Sequence, residues 1–201
     1  MKKYFPVLEY FNIPNVITSV GMCFGLAACL YVFRGNLQGV FVCLAVAAFM
    51  DLVDGFFAVK LNQQTLFGKH ADSLVDFFIC CIIPSLTAFV FIGTDIFIIC
   101  AVFFYCICGL WRLANYNLIT TEKQEEIKPY FTGLPVPGAM LFVNMVIFSI
   151  IHYGLPEWFS PIMFILTGII MISALKLKKY GVGQKIIWAV ALLFLIVIIV
   201  T

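Results

Sequence analysis

The sequence predicts an all-α integral membrane protein: a polytopic bundle of six to eight transmembrane helices with a short N-terminal interfacial helix. Three observations predict this fold. Hydrophobic residues make up 64% of the 201-residue chain and charged residues only 11%, whereas a soluble domain has about 25% charged residues. The apolar residues form runs of about 20 residues, the length that spans a bilayer. Short turn-forming linkers separate these runs, so we expect residues 1–201 to form a single membrane-embedded domain.

The predicted elements follow in chain order. Near the start, aromatic and aliphatic residues interleave with Lys2, Lys3 and Glu9, which predicts a short helix at the membrane surface with Pro6 in its first turn. Seven apolar runs follow, each a candidate transmembrane helix: 14–33, 37–59, 70–92, 95–117, 134–153, 158–175 and 184–201. The last two are short, so the sequence leaves open whether both cross the membrane fully.

The basic residues predict the orientation. With the N-terminus inside and seven spans, 11 of the 12 Lys and Arg residues fall on one side, and only Arg34 falls on the other. The side rich in Lys and Arg is the cytoplasmic one. We therefore expect a multi-pass protein of the cell membrane. If the last run is not a full span, the C-terminus stays inside and the rest of the topology is unchanged.

Four aspartates lie at the facing ends of the second and third apolar runs. Asp51 and Asp54 are three residues apart, and Asp72 and Asp76 are four apart, so each pair shares one helix face. Two antiparallel helices joined by the 60–69 turn can present all four carboxylates to one point near the cytoplasmic end. An ionised carboxylate inside a membrane costs about 3 kcal/mol even on insertion scales, so these residues mark a functional site.

The chemistry expected at that point is divalent-cation binding. Four converging carboxylates repel each other, and cations must offset their charge. Oxygen ligands favour hard ions, so we expect Mg²⁺ or Mn²⁺, with Ca²⁺ also possible. Two such ions close together would clamp phosphoryl oxygens during an in-line displacement. The small residues Gly55 and Ala58 would let a base or a pyrophosphate approach the helix of Asp54, and Gly68 is expected to allow an unusual turn at the next helix entry.

The spacing of these residues resembles the signature of the CDP-alcohol phosphotransferase family, integral membrane enzymes that move a phosphatidyl-type group from a CDP-linked donor to an alcohol. The resemblance implies that Asp51, Asp54 and Asp72 ligate the metals, two per site. It implies that Asp76 helps to bind one metal and acts as general base, and that the 54–58 segment holds the departing CMP. It also implies a homodimer. The matching pattern reads Asp51-x2-Asp54-Gly55-x2-Ala58-x9-Gly68-x3-Asp72-x3-Asp76.

Other positions bear on donor binding. The family has Arg after the Ala of its signature, and this chain has Val59 there. The sequence leaves open whether Lys60 or Lys69 supplies the missing positive charge. The stretch Ile13-Pro14-Asn15-x2-Thr18 resembles a start common in the family. Asn15 and Thr18 are therefore candidates for contact with the donor headgroup, with a polar helix start as the alternative.

Two further stretches resemble the phosphatidylserine synthase branch of the family, so that the resemblance spans roughly residues 12–140. They are Trp111-Arg112-Leu-Ala-Asn115-Tyr-Asn117 and Phe131-Thr-Gly133-Leu-Pro135-Val-Pro137-Gly-Ala139. Asn115 stands where that branch often has Arg. Serine is a zwitterion whose carboxylate suits one bidentate guanidinium. Arg112 can supply it, and Asn115, one turn on, can contribute to serine binding.

The residues leave two alternatives open. A glycerol phosphate or inositol phosphate acceptor would require more converging positive charge, to which Lys128 and the cluster at 176–179 could contribute. A divalent-cation transporter is the alternative of another class, because intramembrane acidic residues also mark ion pathways. The expected partners are CDP-diacylglycerol or a CDP-linked ether lipid, L-serine and the surrounding membrane lipids. We expect no nucleic-acid partner.

Overall fold

The computed structural model describes the backbone of residues 6–122 and 130–178, and the side chains of residues 8–119 and 133–175. A short 3-10 turn, Pro6–Tyr10, precedes the helices, in agreement with the short helix expected at the start of the chain. A five-residue π-helical turn, Phe78–Ile82, joins the third helix to the fourth. The α-helices are α1 (Ile13–Phe33), α2 (Leu37–Lys60), α3 (Leu66–Phe77), α4 (Ile83–Phe91), α5 (Ile96–Glu122), α6 (Val136–Tyr153) and α7 (Phe159–Ile172).

Within the described residues, five spans are long and apolar enough to cross a membrane. They are α1, α2, the continuous stretch Leu66–Phe91, the Ile96–Ile119 part of α5, and α6. Helix α7 has 14 residues and rises only about 21 Å, less than the roughly 30 Å of a hydrocarbon core. The predicted polytopic all-α membrane fold is therefore confirmed. The seventh apolar run, 184–201, lies outside the described residues.

Two short strands make one small exception to the all-helical prediction. Strand β1 (Tyr130–Thr132) pairs antiparallel with β2 (Lys176–Lys178), so the chain before α6 and the chain after α7 reach the same end of the bundle. Gly133 follows β1 with φ +74°, and a Cβ there would lie 2.2 Å from the Met171 carbonyl oxygen. Only glycine permits both this conformation and this close approach.

Side-chain caps fix the helix ends around the aspartates. Asn12 caps α1 by accepting a hydrogen bond from the Asn15 amide at 2.9 Å. Thr65 caps α3 in the same way, accepting from the Gly68 amide at 3.0 Å. Because Thr65 is the cap, α3 begins at Leu66, four residues before the predicted start of the third run at 70. Asn62, with φ 53°, ends α2 in the left-handed conformation that closes helices.

The third apolar run is not the single regular helix that the sequence predicted. Pro84 has no N–H group and cannot donate to the Cys80 carbonyl four residues earlier. The buried Tyr105 hydroxyl of α5 donates to that carbonyl instead, at 2.8 Å. The Ile83 amide donates to the Phe78 carbonyl five residues back, which is the π-helical pattern. The irregular turn therefore lies immediately after the aspartates of α3.

Candidate active site

The structure brings the four aspartates to one place between α2 and α3. Asp51, Asp72 and Asp76 each present a carboxylate oxygen, and these three oxygens lie within 4.8 Å of one another. The Asp51 and Asp72 carboxyl groups are within hydrogen-bonding distance. Asp54, one turn from Asp51 and only 6% exposed, lines the same cavity. The convergence that the i,i+3 and i,i+4 spacings predicted is therefore present.

The cluster fits a hard divalent cation. Opposite oxygen ligands lie about 4.0–4.2 Å apart across Mg²⁺ and about 4.6–5.2 Å apart across Ca²⁺, so oxygens within 4.8 Å of one another can share one ion. Carboxylates this close must also have their mutual repulsion offset by a cation or a shared proton. The free volume of the cavity is about 10 Å³, close to the smallest space that admits one water molecule.

Helix α1 supplies a hydrogen bond to this cluster. The Thr18 hydroxyl donates to the Asp54 carboxylate, and Thr18 is only 7% exposed. Gly21, one turn further along α1, would place a Cβ 3.4 Å from the Met50 Cβ of α2, so the two helices are in close contact here. The structure therefore gives Thr18 a definite partner in the acidic cluster. Its expected contact with the donor headgroup remains a prediction.

Asn15 and Gly68 meet where α1 and α3 begin. The Asn15 side-chain amide donates to the Tyr10 carbonyl at 2.7 Å, and a Cβ on Gly68 would lie 2.7 Å from Asn15 Oδ1. Gly68 lies inside α3 and is absent from the glycines with positive φ, so the expected unusual turn is wrong. The lack of a side chain there allows close packing of α3 against α1.

The end of α2 leaves open space beside the cluster. Gly55 is exposed, and a Cβ there would meet no described atom within 4 Å. Ala58, one turn on, is half-buried. Lys60 is exposed and its ammonium lies 5.4 Å from the centre of the Phe56 ring. Gly55 thus borders free space, and the approach of a ligand to this part of α2 remains a prediction.

Lys69 and Ser73 of α3 contact the end of α5 through residues that the sequence analysis did not assign to the site. The Lys69 ammonium donates to the Asn117 carbonyl at 2.9 Å and lies 5.9 Å from the centre of the Tyr116 ring. Ser73 and the Asn117 side chain exchange hydrogen bonds at 2.9 and 3.1 Å. The available signal was the i,i+4 spacing of Lys69 and Ser73, which places both on one face of α3.

Arg112 of α5 lies within electrostatic range of the acidic cluster. Its guanidinium interacts electrostatically with Asp76, and its Nε atom is buried with no hydrogen-bond partner among the described residues. An unpaired buried donor is unfavourable, so this atom is suited to an incoming acceptor such as a carboxylate. Asn115 lies three residues further along α5 and is exposed; its part in serine binding remains a prediction.

The remaining wall of the cavity comes from the start of α6 and from the π turn. Pro137 lies in the first turn of α6, and Ile79 and Cys80 belong to the π turn; all three line the cavity. Part of the stretch 131–139 therefore reaches the site. The other lining residues are Thr18, Gly21, Ala47, Ala48, Asp51, Asp54, Asp72, Val75 and Asp76.

The match to a protein-family model decides the family. The model described as CDP-alcohol phosphatidyltransferase matches residues 11–175, which include the four aspartates and every helix from α1 to α7. The chain belongs to this family. The match also covers Arg112, Asn117 and the α6 entry, so the contacts between α3 and α5 described above lie within the family domain.

Individual relatives within the family carry one recurring name, CDP-diacylglycerol–serine O-phosphatidyltransferase. The protein of that name from Helicobacter pylori is 28% identical over 204 residues, covering 96% of this chain and 81% of its own length. The Bacillus subtilis protein is 31% identical over 144 residues, covering 68% of this chain and 76% of its own length. The Methanocaldococcus jannaschii protein is 29% identical over 181 residues, covering 90% and 77%.

Proposed function

We propose that this protein transfers a phosphatidyl group from CDP-diacylglycerol, or from an ether-lipid equivalent, to L-serine, releasing phosphatidylserine and CMP. Family membership supports the transfer from a CDP-linked donor, and the names of the relatives support serine as acceptor. The observation that carries the proposal is the combination of two features. Three carboxylate oxygens lie within 4.8 Å of one another, and the Arg112 guanidinium, within electrostatic range of Asp76, has one buried N–H group without a hydrogen-bond partner among the described residues.

The acidic cluster would hold the metal. Asp51, Asp72 and Asp76 would bind a divalent cation, Mg²⁺ or Mn²⁺, with Asp54 beside them and two ions per site expected. The bound cations would neutralise the phosphoryl oxygens of the donor and stabilise the charge that develops on them. Thr18 orients Asp54 through its hydrogen bond. The open surface at Gly55 and Ala58 would receive the nucleotide part of the donor.

Residues of α3 and α5 would bind the serine acceptor and remove its hydroxyl proton. Arg112 would pair with the serine carboxylate through charge-assisted hydrogen bonds. Asp76, which lies within electrostatic range of Arg112, would accept the proton of the serine hydroxyl. The serine oxygen then forms a bond to the phosphorus that carries the diacylglycerol oxygen, and the bond from that phosphorus to the CMP oxygen breaks. A positioned carboxylate acting in this way contributes about 10²–10⁴-fold in rate.

The proposal includes the setting of the reaction. The protein acts in the cell membrane with the site facing the cytoplasm, because the basic residues Lys60, Lys69 and Arg112 lie near that end of the bundle. Residues 1–201 act as one domain. A homodimer is the expected assembly by family likeness, and the donor would enter laterally with its tails in the bilayer.

One assay tests the function. Purified protein would be given Mg²⁺ or Mn²⁺, CDP-diacylglycerol and a panel of alcohols, and CMP release would be measured with an EDTA control. We expect metal-dependent release with serine together with formation of phosphatidylserine. Release with glycerol phosphate or inositol phosphate but not with serine would select the alternative acceptor. No release with any alcohol, together with Mn²⁺ flux into liposomes, would select a transporter.

A further inference from the structure

We propose that the π-helical turn Phe78–Ile82 orients the catalytic carboxylates, and that Tyr105 is a positioning residue which holds this turn in place. The proposal deepens the proposed transferase function and rests on it. The turn begins two residues after Asp76. Its residues Ile79 and Cys80 line the cavity that contains the four aspartates. A change in the turn therefore acts directly on the wall of the site.

The turn separates two helix faces that a regular helix would superimpose. Each residue of an α-helix rotates the chain by about 100°. Ile83 is seven residues after Asp76 and eleven after Asp72, so in an unbroken α-helix all three would point within about 20° of one direction. Ile83 is 0% exposed in the hydrophobic core, whereas the two aspartates face α2. The extra residue of the π turn rotates the face of α4 that carries Ile83 by about 100° relative to the aspartate face of α3. Helix α4 can therefore pack in the core while α3 presents its carboxylates.

Tyr105 is the side chain that stabilises this irregular backbone from another helix. Pro84 leaves the Cys80 carbonyl without its helical donor, and the Tyr105 hydroxyl supplies a hydrogen bond to it at 2.8 Å. Tyr105 is itself 0% exposed and packs edge-on against Phe164 of α7, with ring centroids 5.3 Å apart. The donor hydroxyl is therefore held in a fixed position by the core.

Tyr105 and Arg112 also act together on the broken helix. They are seven residues apart on α5 and so share one face of it. Arg112 interacts with Asp76, while Tyr105 bonds the backbone four residues after Asp76. Helix α5 thus interacts with the chain both before the π turn, at Asp76, and within it, at Cys80. This arrangement fixes the direction in which Asp76 enters the cavity.

The test compares three variants of the full-length protein with the wild type. Tyr105→Phe removes only the hydroxyl that bonds the π turn. Thr87→Val is the matched control, because Thr87 is also 0% exposed but donates within its own helix, to the Ile83 carbonyl at 2.8 Å. Pro84→Ala restores the missing N–H group and thereby favours a regular helix. Mn²⁺ affinity of the protein alone is measured by electron paramagnetic resonance, beside Tm and the kcat and KM for serine.

The expected results separate positioning from stability. Tyr105→Phe weakens Mn²⁺ affinity and lowers kcat by about 10-fold to 100-fold, the range found when supporting groups of metal sites are lost. Thr87→Val lowers Tm while leaving Mn²⁺ affinity, kcat and the serine KM at wild-type values. Pro84→Ala weakens Mn²⁺ affinity and lowers kcat although its Tm is unchanged or higher, because the aspartate face rotates away from α2.

Wild-type Mn²⁺ affinity and kcat in Tyr105→Phe or in Pro84→Ala would overturn the proposal, whatever happens to Tm. Should Tyr105→Phe not fold, the Pro84→Ala comparison alone decides. The metal measurement needs no substrate, so it separates two kinds of failure. If the wild type releases no CMP with any alcohol, the transferase function fails while the Mn²⁺ comparison still tests the role of the turn. A wild type that binds no Mn²⁺ overturns both.

Discussion

Arg112 offers a direct test of acceptor recognition. Its Nε atom is buried and has no hydrogen-bond partner among the described residues, so at this atom a serine carboxylate would not displace an internal hydrogen bond. Hydrogen bonds to charged groups contribute about 1.5–3 kcal/mol, and about 1.36 kcal/mol corresponds to a factor of ten. Arg112→Ala is therefore expected to raise the serine KM by about 10-fold to 150-fold, with little change in the KM for CDP-diacylglycerol.

A chemical double-mutant cycle isolates this contact from the effect of Arg112 on Asp76. The second acceptor is 2-aminoethanol, which is serine without its carboxylate. If the guanidinium binds the carboxylate, wild type prefers serine, and Arg112→Ala reduces that preference by about the factor given above. Arg112→Lys keeps the positive charge but loses the planar guanidinium. Its preference for serine over 2-aminoethanol should therefore lie between those of wild type and Arg112→Ala.

Initial rates of CMP release give kcat and KM for each variant with each acceptor. The reasoning would be refuted by an unchanged serine KM in Arg112→Ala. It would also be refuted if Arg112→Ala impaired turnover of serine and of 2-aminoethanol equally, since the residue would then act on Asp76 or on the fold rather than on the carboxylate.

Three further predictions concern the acidic cluster and its glycines. Asp76→Asn should lower kcat by about 100-fold or more while metal-dependent binding of the CDP donor, measured by calorimetry, largely persists; an active variant would remove Asp76 as the base. Gly55→Ala should raise Tm, because alanine is favoured over glycine in a helix by about 0.5–1 kcal/mol and its Cβ would meet no atom of the described residues within 4 Å. It should also raise the donor KM, and an unchanged donor KM would mean that the donor does not occupy this space. Gly68→Ala should lower Tm and raise the donor KM, because its Cβ would lie 2.7 Å from Asn15 Oδ1 and overpacking costs about 1–3 kcal/mol; an unchanged Tm would contradict the close contact.

The sequence was informative where the relevant geometry is local. The i,i+3 and i,i+4 spacings predicted the shared faces of the two aspartate pairs, and a short connection between α2 and α3 then leaves little freedom in how the pairs meet. The apolar runs predicted the spans for the same reason, because a helix in lipid must satisfy its own backbone. The boundaries differed by a few residues where a cap such as Thr65 decided the first helical turn.

The contacts between distant helices were not predictable in this way. Nothing in the local pattern of α5 indicates that Asn117 meets Ser73 or that Tyr105 meets the Cys80 carbonyl, because these pairs depend on how three helices pack. Pro84 was a usable signal for the irregular turn, since a proline inside an apolar run always frees a carbonyl near it. The paired strands were missed because each has only three residues and borders a helix.

The break in the helix from Leu66 to Phe91 has a consequence for how this family can diverge. The relative directions of its two halves depend on the number of residues between Asp76 and Pro84, and only weakly on which apolar side chains fill those positions. Substitutions that keep this length leave the relative direction of the two halves unchanged, whereas a single insertion or deletion would turn the acidic face away from its neighbour. We therefore expect relatives that differ at most positions of this stretch to keep its length.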